Sequence, residues 1–545
     1  MRKLRFAILL ILPLMPLSLI YAVNDMPIVA FFQGEHHQSS FGRSMVSLDF
    51  NHDGYDDLAI CSSGYGYIYP GTIHRGHGKL YIYFGTNGFN SNTSPALTYE
   101  GTYDSTRVGR QIKGIFRVGD VSGDGFDDLC VYVEDHISWN ESYKKLLFFY
   151  GGTTNLDNPD YAIDFFGRVY SFGRVYPLGD FNGDGYGDIG LYYRHYPSYL
   201  LRQSIIFGGS FTEQVVSTGE LSSSYASSIN GIGDINNDGY ADFTTAFATP
   251  TTNPTHNLIR LYYGNAAGNT DNPITLIYCQ YGVSRGSKPL GDMNGDGYDD
   301  FMGYITDEGM HAWLGETSIN YAVPDFDMSP PWYGGEFQRS LEHGDFNNDG
   351  YEDAVGANFG YRGFAVWLGK QYVNGTSDLI IYNGAYENFG YSLVTGDFNA
   401  DGYDDIAIAA SHEYAPQPSG NFNGYVWVYG GNAELEDTTV GVEDYLTPAV
   451  GAQERLRVFP NPARTGDVVT LSYEGAPPLK SEHCEVRLFN IKGQELYSGR
   501  ASRHHKGLSF ELPKEALDPL PAGIYLISLN PGNGKTDTAR LVVAE

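Results

Sequence analysis

One nine-residue string with oxygen-bearing side chains at positions one, three, five and nine returns seven times: DFNHDGYDD, DVSGDGFDD, DFNGDGYGD, DINNDGYAD, DMNGDGYDD, DFNNDGYED and DFNADGYDD. Alternate side chains on a tight turn converge on one point. The glycine at position six permits the bend, and the main-chain carbonyl of the aromatic residue at position seven supplies a further oxygen. This makes up the six or more hard ligands that Ca2+ takes, whereas Mg2+ needs a stricter octahedron and more retained water. The candidate ligands are Asp49, Asn51, Asp53, Tyr55 and Asp57; Asp120, Ser122, Asp124, Phe126 and Asp128; Asp180, Asn182, Asp184, Tyr186 and Asp188; Asp234, Asn236, Asp238, Tyr240 and Asp242. The remaining three sets are Asp292, Asn294, Asp296, Tyr298 and Asp300; Asp345, Asn347, Asp349, Tyr351 and Asp353; Asp397, Asn399, Asp401, Tyr403 and Asp405. Ser122 replaces an asparagine and is expected to weaken the second site. An EF-hand opens similarly but needs a bidentate Glu at position twelve and flanking helices. Position twelve here is Ile60, Val131, Leu191, Thr245, Gly303, Gly356 and Ile408, so the loops must sit between strands.

The loops also account for the charge. The chain has 545 residues with 65 acidic and 34 basic, a net charge of -31. Three aspartates in each of seven loops make 21 of those acids, and without them the balance would be -10. Up to seven Ca2+ ions would relieve the repulsion, with affinities of roughly 10⁻⁴ to 10⁻³ M, as folding ligands. A charge of this sign opposes polyanionic partners, so no nucleic acid is expected.

The strings begin at Asp49, Asp120, Asp180, Asp234, Asp292, Asp345 and Asp397, at intervals of 52 to 71 residues, the length of one propeller blade. Upstream stands an apolar-Gly or related pair, Phe41-Gly42, Val108-Gly109, Phe172-Gly173, Tyr281-Gly282 and Phe389-Gly390, whereas the fourth and sixth copies have Ser227-Ser228 and Phe337-Gln338. Downstream come a β-rich run and a second strand ending in Gly, such as KLYIYFG or GYVWVYGG. With 68 Gly, 44 Tyr and 31 Phe the composition also suits short strands and tight turns. Residues 27 to 431 thereby resemble the FG-GAP repeats of integrin α-chain propellers and their bacterial relatives. The expected fold is all-β: a seven-bladed β-propeller followed by a small Ig-like β-sandwich. Residues 27 to 36 resemble the strand before each later pair and are expected to close the ring as the outer strand of the last blade, since blades around an axis leave only short edges.

Residues 1 to 22 read as a secretory signal peptide, with Arg2, Lys3 and Arg5, a short apolar run broken by Pro13 and Pro16, and Ala22 at the cleavage point. No later segment is apolar enough to span a membrane. Cys61 and Cys130 follow acidic loops in apolar runs and read as buried free thiols; with Cys279 and Cys484 they form neither CxxC pairs nor a disulfide framework. Residues 432 to 454 are polar and acidic, a linker. Residues 455 to 545 alternate apolar and polar between Gly and Pro turns. Pro460-Asn461-Pro462, Asn490-Ile491-Lys492-Gly493 and Pro521-Ala522-Gly523-Ile524-Tyr525 give this stretch its resemblance to the C-terminal sorting domain of type IX secretion. That resemblance implies contact with the secretion machinery, passage across the outer membrane, and a secreted or surface-displayed product.

No HExxH, P-loop or dinucleotide fingerprint is present. Gly282-Val283-Ser284-Arg285-Gly286 matches a nucleophile elbow in letters but occupies the repeat's upstream position and lacks the strand-to-helix setting. Catalysis is therefore not expected. The loops at the opposite ends of the strands from the acidic loops are the candidate binding face, because they hold six of the 14 histidines: His74, His77, His136, His195, His256 and His412. Tyr65, Tyr67, Arg75, Trp139, Arg194 and Tyr196 lie among them, groups suited to a glycan or protein ligand. The chain reads as an extracellular, calcium-stabilised binding module. The alternative is a polysaccharide-degrading, lyase-like enzyme with Arg75, Arg194 and loop histidines as its cation and base.

Overall fold

Directly after an acidic loop the chain runs as a strand without a polar face: Asp57–Ser62, Asp353–Asn358 and Asp405–Ala410 are buried at every residue. A strand covered on both sides loses the period-two alternation of a half-exposed one. Outermost strands keep it, as in Leu97–Glu100 and Leu379–Tyr382, which alternate between half-buried and exposed.

The computed structural model describes residues 26–35, 39–65, 76–102, 108–138, 141–165, 169–198, 200–219, 228–249, 256–271, 273–279, 284–305, 309–317, 324–328, 340–358, 360–371, 373, 375–383, 388–411 and 423–435, together with eight strands between 455 and 544. Among these residues the regular structure is all β. The chain divides into two compact units, Met1–Asp437 and Thr438–Glu545.

In the first unit, 28 strands form seven four-stranded sheets, each antiparallel throughout, so the fold is a seven-bladed propeller. Blade one runs Phe41–Leu48, Asp57–Ser62, Lys79–Tyr83, Leu97–Glu100 from its first strand outward, with the acidic loop joining its first two strands. The first strands pack against one another blade by blade until that of blade seven, Phe389–Gly396, meets that of blade one, which makes them the innermost ring. Blade seven takes its fourth strand from the other end of the unit. Ile28–Gln33 pairs antiparallel with Tyr425–Tyr429, with Phe31 opposite Trp427 and Phe32 opposite Val426. The expected closure is thus present. The apolar core lies between blades: Leu58 and Ile60 of blade one pack in one cluster with Ala407, Ala409 and Val426 of blade seven and with Phe32 of the closing strand.

Cys61 and Cys130 are free and buried, and burial pushes the Cys61 thiol up to about 12, so both behave as small apolar side chains. Ser284 opens the innermost strand of blade five, Ser284–Gly291, which is no setting for a nucleophile elbow.

In the second unit, hydrogen bonding runs through all eight strands in one order: Arg455–Phe459, Thr470–Glu474, Ser509–Glu511, Glu495–Arg503, His483–Asn490, Gly523–Asn530, Asp537–Ala544 and Ala463–Arg464. Leu488 and Ile527 face each other across the fifth and sixth strands of that order and are fully buried. The first and seventh strands of that order also pack on each other, so the sheet curls back on itself.

Candidate metal loops and the opposite face

Each acidic loop is wound by its own side chains. In loop one Asp49 accepts the Asp53 N–H through Oδ1 at 3.1 Å and the Gly54 N–H through Oδ2 at 3.0 Å. Asn51 Oδ1 accepts the Asp53 N–H at 3.0 Å, and Asp53 Oδ1 accepts the Tyr55 N–H at 3.0 Å. The turn then needs left-handed backbone twice. Position six, always Gly, has φ between +87° and +90° in all seven loops. Position four has φ between +53° and +77° although it is His52, Gly123, Gly183, Asn237, Gly295, Asn348 and Ala400. The sequence reading missed this second requirement, although the run of Gly and Asn at position four signals it.

The ninth position ties the loop to the blade. Asp57 Oδ2 accepts the Phe50 N–H at 3.1 Å, and its Oδ1 accepts the Gly85 N–H, just after the third strand, at 2.8 Å. The ninth aspartates of all seven loops are fully buried. Burial first, then the carboxylates at positions five and one, push their pKa values up: to about 7 for Asp57, Asp128 and Asp188, about 8 for Asp242, Asp300 and Asp405, and about 9 for Asp353. Seven buried carboxylates facing two like charges each form a donor set that a divalent cation would relieve.

Among the described residues no group of three or more His, Cys, Asp and Glu stands in a metal-holding arrangement, because the carboxylates accept backbone N–H groups instead. Two loops depart from the common pattern. In loop two the Ser122 hydroxyl donates to Asp120 Oδ1 at 3.3 Å, and Asp128 accepts from the N–H of Ser122 rather than of position two. In loop seven Asn399 Nδ2 donates to Asp405 Oδ1 at 3.2 Å, leaving Asn399 Oδ1 and Asp405 Oδ2 buried without a hydrogen-bond partner. Two orphaned buried oxygens at positions three and nine are the acceptors a Ca2+ ion would use, so the residues fit the ion.

Consecutive loops are joined into a ring. At five of the seven junctions, from loop two through loop seven, the position-eight N–H donates to the position-one carbonyl of the preceding loop, as in Gly187 to Asp120 at 2.7 Å and Asp404 to Asp345 at 3.1 Å. In three of the four copies with Asp at position eight, its side chain also bonds to the preceding loop: Asp299 Oδ2 accepts the Asp234 N–H at 2.8 Å, Asp404 Oδ2 that of Asp345 at 2.9 Å, and Asp56 Oδ2 that of Asp397 at 3.1 Å. The last of these spans the closure between blades one and seven. Position-seven aromatics roof the preceding loop, so that a Cβ on Gly123, Gly183 or Gly295 would come 2.4 to 2.5 Å from the ring of Tyr186, Tyr240 or Tyr351.

At the opposite face most of the described candidate residues fall into two groups, with His136 apart on blade two, its Nε2 3.6 Å from Glu134. On blade one, the rings of Tyr65 and His77 meet at 5.4 Å, and His77 Nε2 lies 2.8 Å from Glu100. Lys79 joins them, over Tyr65 and Tyr81 at 4.8 Å from each ring and 3.1 Å from Glu35. Neither Lys79 nor Glu35 was singled out from sequence. On blade three, Arg194 and His195 end the second strand and Tyr196, nearly half exposed, begins the turn, where His195 Nδ1 lies 3.3 Å from the Ser198 hydroxyl. Tyr67, His74, Arg75, Trp139 and His412 lie outside the described residues.

Residues 41–69 and 389–429 match the FG-GAP repeat, and residues 457–544 match the secretion system C-terminal sorting domain. The chain is similar to integrin alpha-5 of Xenopus laevis, 32% identical over 104 residues, 18% of this chain and 9% of that protein. It is also similar to phosphatidylinositol-glycan-specific phospholipase D of Dictyostelium discoideum, 26% identical over 172 residues, 29% of this chain and 18% of that protein. It thus matches less than a fifth of the length of either relative. Among solved structures, the Dos1 propeller covers 75% of this chain and 96% of its own at 10% identity and a TM-score of 0.40. The chain carries FG-GAP repeats and a type IX sorting domain, and it is a protein of the cell surface or extracellular space. No helix among the described residues is long and apolar enough to cross a membrane.

Proposed function

We propose that this exported FG-GAP propeller is a calcium-stabilised binding module for an extracellular glycan or protein, and that it catalyses no reaction. Residues 1–22 act as the leader and residues 432–454 as a linker to the sorting domain, 455–545, which engages the secretion machinery. The orphaned pair Asn399 Oδ1 and Asp405 Oδ2, in a loop whose Asp397 accepts the Asp401 and Gly402 N–H groups as the first aspartate does in every other loop, is the observation that carries the calcium assignment. In each loop the side chains at positions one, three, five and nine and the carbonyl at position seven would hold the ion. A bound ion neutralises the converging carboxylates, and the chain's own part is to fix the turn and to bond each loop to the next.

Binding then belongs to the opposite face, where connections vary and Tyr65, His77, Arg194 and Tyr196 are presented by a frame held at the calcium end. Electrophoresis of the full chain in millimolar calcium through gels containing neutral and acidic polysaccharides tests this. Retardation without shortening of the polymer is the expected result for a glycan partner. Shortening that survives repurification and is lost in an Arg194→Ala or His195→Ala variant would replace the binding module with a polysaccharide-degrading enzyme.

A further inference from the structure

One seam of the ring is polar where a packed seam would be apolar. Among the described residues, six buried side-chain atoms without a hydrogen-bond partner belong to the facing sides of blades four and five: Ser228 Oγ, Asn230 Nδ2, Thr244 Oγ1, Ser287 Oγ, His311 Nε2 and Trp313 Nε1. Strand pairing and packing place them there. Ala246 of blade four packs in one cluster with Phe301 and Trp313 of blade five, so these residues mark the sides that meet. Ser228 stands opposite Ala246 in the ladder, and Thr244, two residues before Ala246 and so on the same face of its strand, stands opposite Asn230. On blade five Gly303 follows Phe301 by two residues, and Ser287 and His311 stand opposite it on either side.

The repeat is broken at the same places. Ser228 belongs to the Ser227-Ser228 pair that stands where other copies have an apolar-Gly pair. Position eleven, counted from the first aspartate of the loop, is Thr244 in blade four, where the other copies have Ala59, Cys130, Gly190, Met302, Val355 and Ala407. Position twelve is Gly303 in blade five, where four copies have Ile60, Val131, Leu191 and Ile408.

One row of the ladder crosses blade five from its innermost to its outermost strand: Ser287, Gly303, His311 and Asp327. At ~4.8 Å between strands the backbones of Ser287 and His311 are about 10 Å apart, and the glycine between them puts no side chain into that interval. His311 is fixed from the outer side, its Nδ1 2.8 Å from Oδ1 of the half-exposed Asp327. A carboxylate only accepts, so Nδ1 carries the hydrogen and the buried Nε2 of the neutral ring is an acceptor. The seam therefore offers two N–H donors, one nitrogen acceptor and three hydroxyls that can do either. An apolar guest would meet none of them, and an ion of either sign would meet half of them with the wrong polarity. Water donates and accepts, and it fits where one side chain is missing.

We infer that the seam between blades four and five holds a file of internal water that bridges these six groups, from the innermost strands out to His311. This junction is a hydrated joint in a ring whose closing junction is packed with Phe32, Phe41, Leu58 and Ile60. The joint depends neither on what the opposite face binds nor on the occupancy of the acidic loops.

Two tryptophans supply the comparison that tests it. Trp313 and Trp367 are both 1% exposed, but Trp367 Nε1 donates to the Gly375 carbonyl at 3.1 Å. In the full chain carrying isotopically labelled tryptophan, in fixed calcium, the indole N–H of Trp313, assigned with Trp313→Phe, should show a magnetic-resonance cross-peak to water. It should also exchange with deuterium roughly tenfold or more faster than that of Trp367. Gly303→Val gives blade five the side chain that Val131 gives blade two, fills the row, and should abolish the water cross-peak while leaving Trp367 unchanged. Should Gly303→Val fail to fold, as judged by circular dichroism, Thr244→Val combined with Ser287→Ala removes two of the bridging hydroxyls and should weaken the cross-peak severalfold. A Trp313 N–H that has no water contact and exchanges as slowly as that of Trp367, or a cross-peak undiminished in the folded variants, overturns the hydrated seam.

Discussion

At the end of the blades where the acidic loops lie, one nine-residue string is repeated seven times with nearly the same hydrogen bonds, whereas at the other end the connections between second and third strands range from residues 139–140 to residues 63–78 and share no sequence. The repeated end is bonded loop to loop around the ring. The irregular end gathers side chains of mixed character, with Lys79, Glu35, Tyr65 and His77 in one group and Arg194 to Tyr196 in another. Repetition builds a frame in which every blade solves the same problem in the same way. A ligand needs an asymmetric surface, which only the departures from repetition can supply.

Calcium should divide the two ends most strongly. At a few millimolar free Ca2+ and the affinities of such loops, each occupied site adds about 1–2 kcal/mol, so seven sites together contribute on the order of 10 kcal/mol. Chelator should therefore lower the melting temperature of the full chain by well over ten degrees, with Mg2+ at the same concentration restoring little of it. A melt indifferent to chelator would mean that the loops hold themselves by hydrogen bonds alone, and the frame would need another explanation.

Much of the frame is legible in the sequence because local rules and the repeat agree. The acidic string gives the turn, the apolar run after it gives a strand buried on both faces, and the likeness of residues 27–36 to later outer strands gives the closure that Phe31 and Trp427 make. What escaped the reading depends on partners remote in the chain. Asp56 looks like one more acid in an acidic turn, yet its hydrogen-bond partner is the Asp397 N–H, 341 residues away. Lys79 looks like an ordinary strand-edge lysine until the closing strand brings Glu35 to it.

Asp56 offers a sharper cut within the repeated end. Asp56→Ala leaves the Asp397 N–H without its acceptor at the closing junction and should cost about 1–3 kcal/mol. Asp127, the same position in blade two, meets the half-exposed Arg117 at 3.0 Å, and Asp127→Ala should change stability by about 1 kcal/mol at most. Equal costs in chemical denaturation would show that the side-chain bridge adds nothing to closure beyond the backbone bonds between loops.

The smallest effect probes a place where the repeated end departs from its own rule. Position four of every loop is left-handed, and five of the seven copies place Gly or Asn there, while Ala400 holds φ of +58°. An alanine in that region carries strain that glycine does not, although glycine also loses more freedom on folding. The strain outweighs the entropy where the native backbone is incompatible with a Cβ, so Ala400→Gly should stabilise the chain by about 0.5–1 kcal/mol. The same substitution tests whether the strain is bound up with the orphaned oxygens of loop seven. If relieving it raises stability equally with and without calcium, the turn and the ion act separately; if the gain appears only in chelator, the bound ion already compensates the turn, and position four belongs to the metal loop as fully as position six.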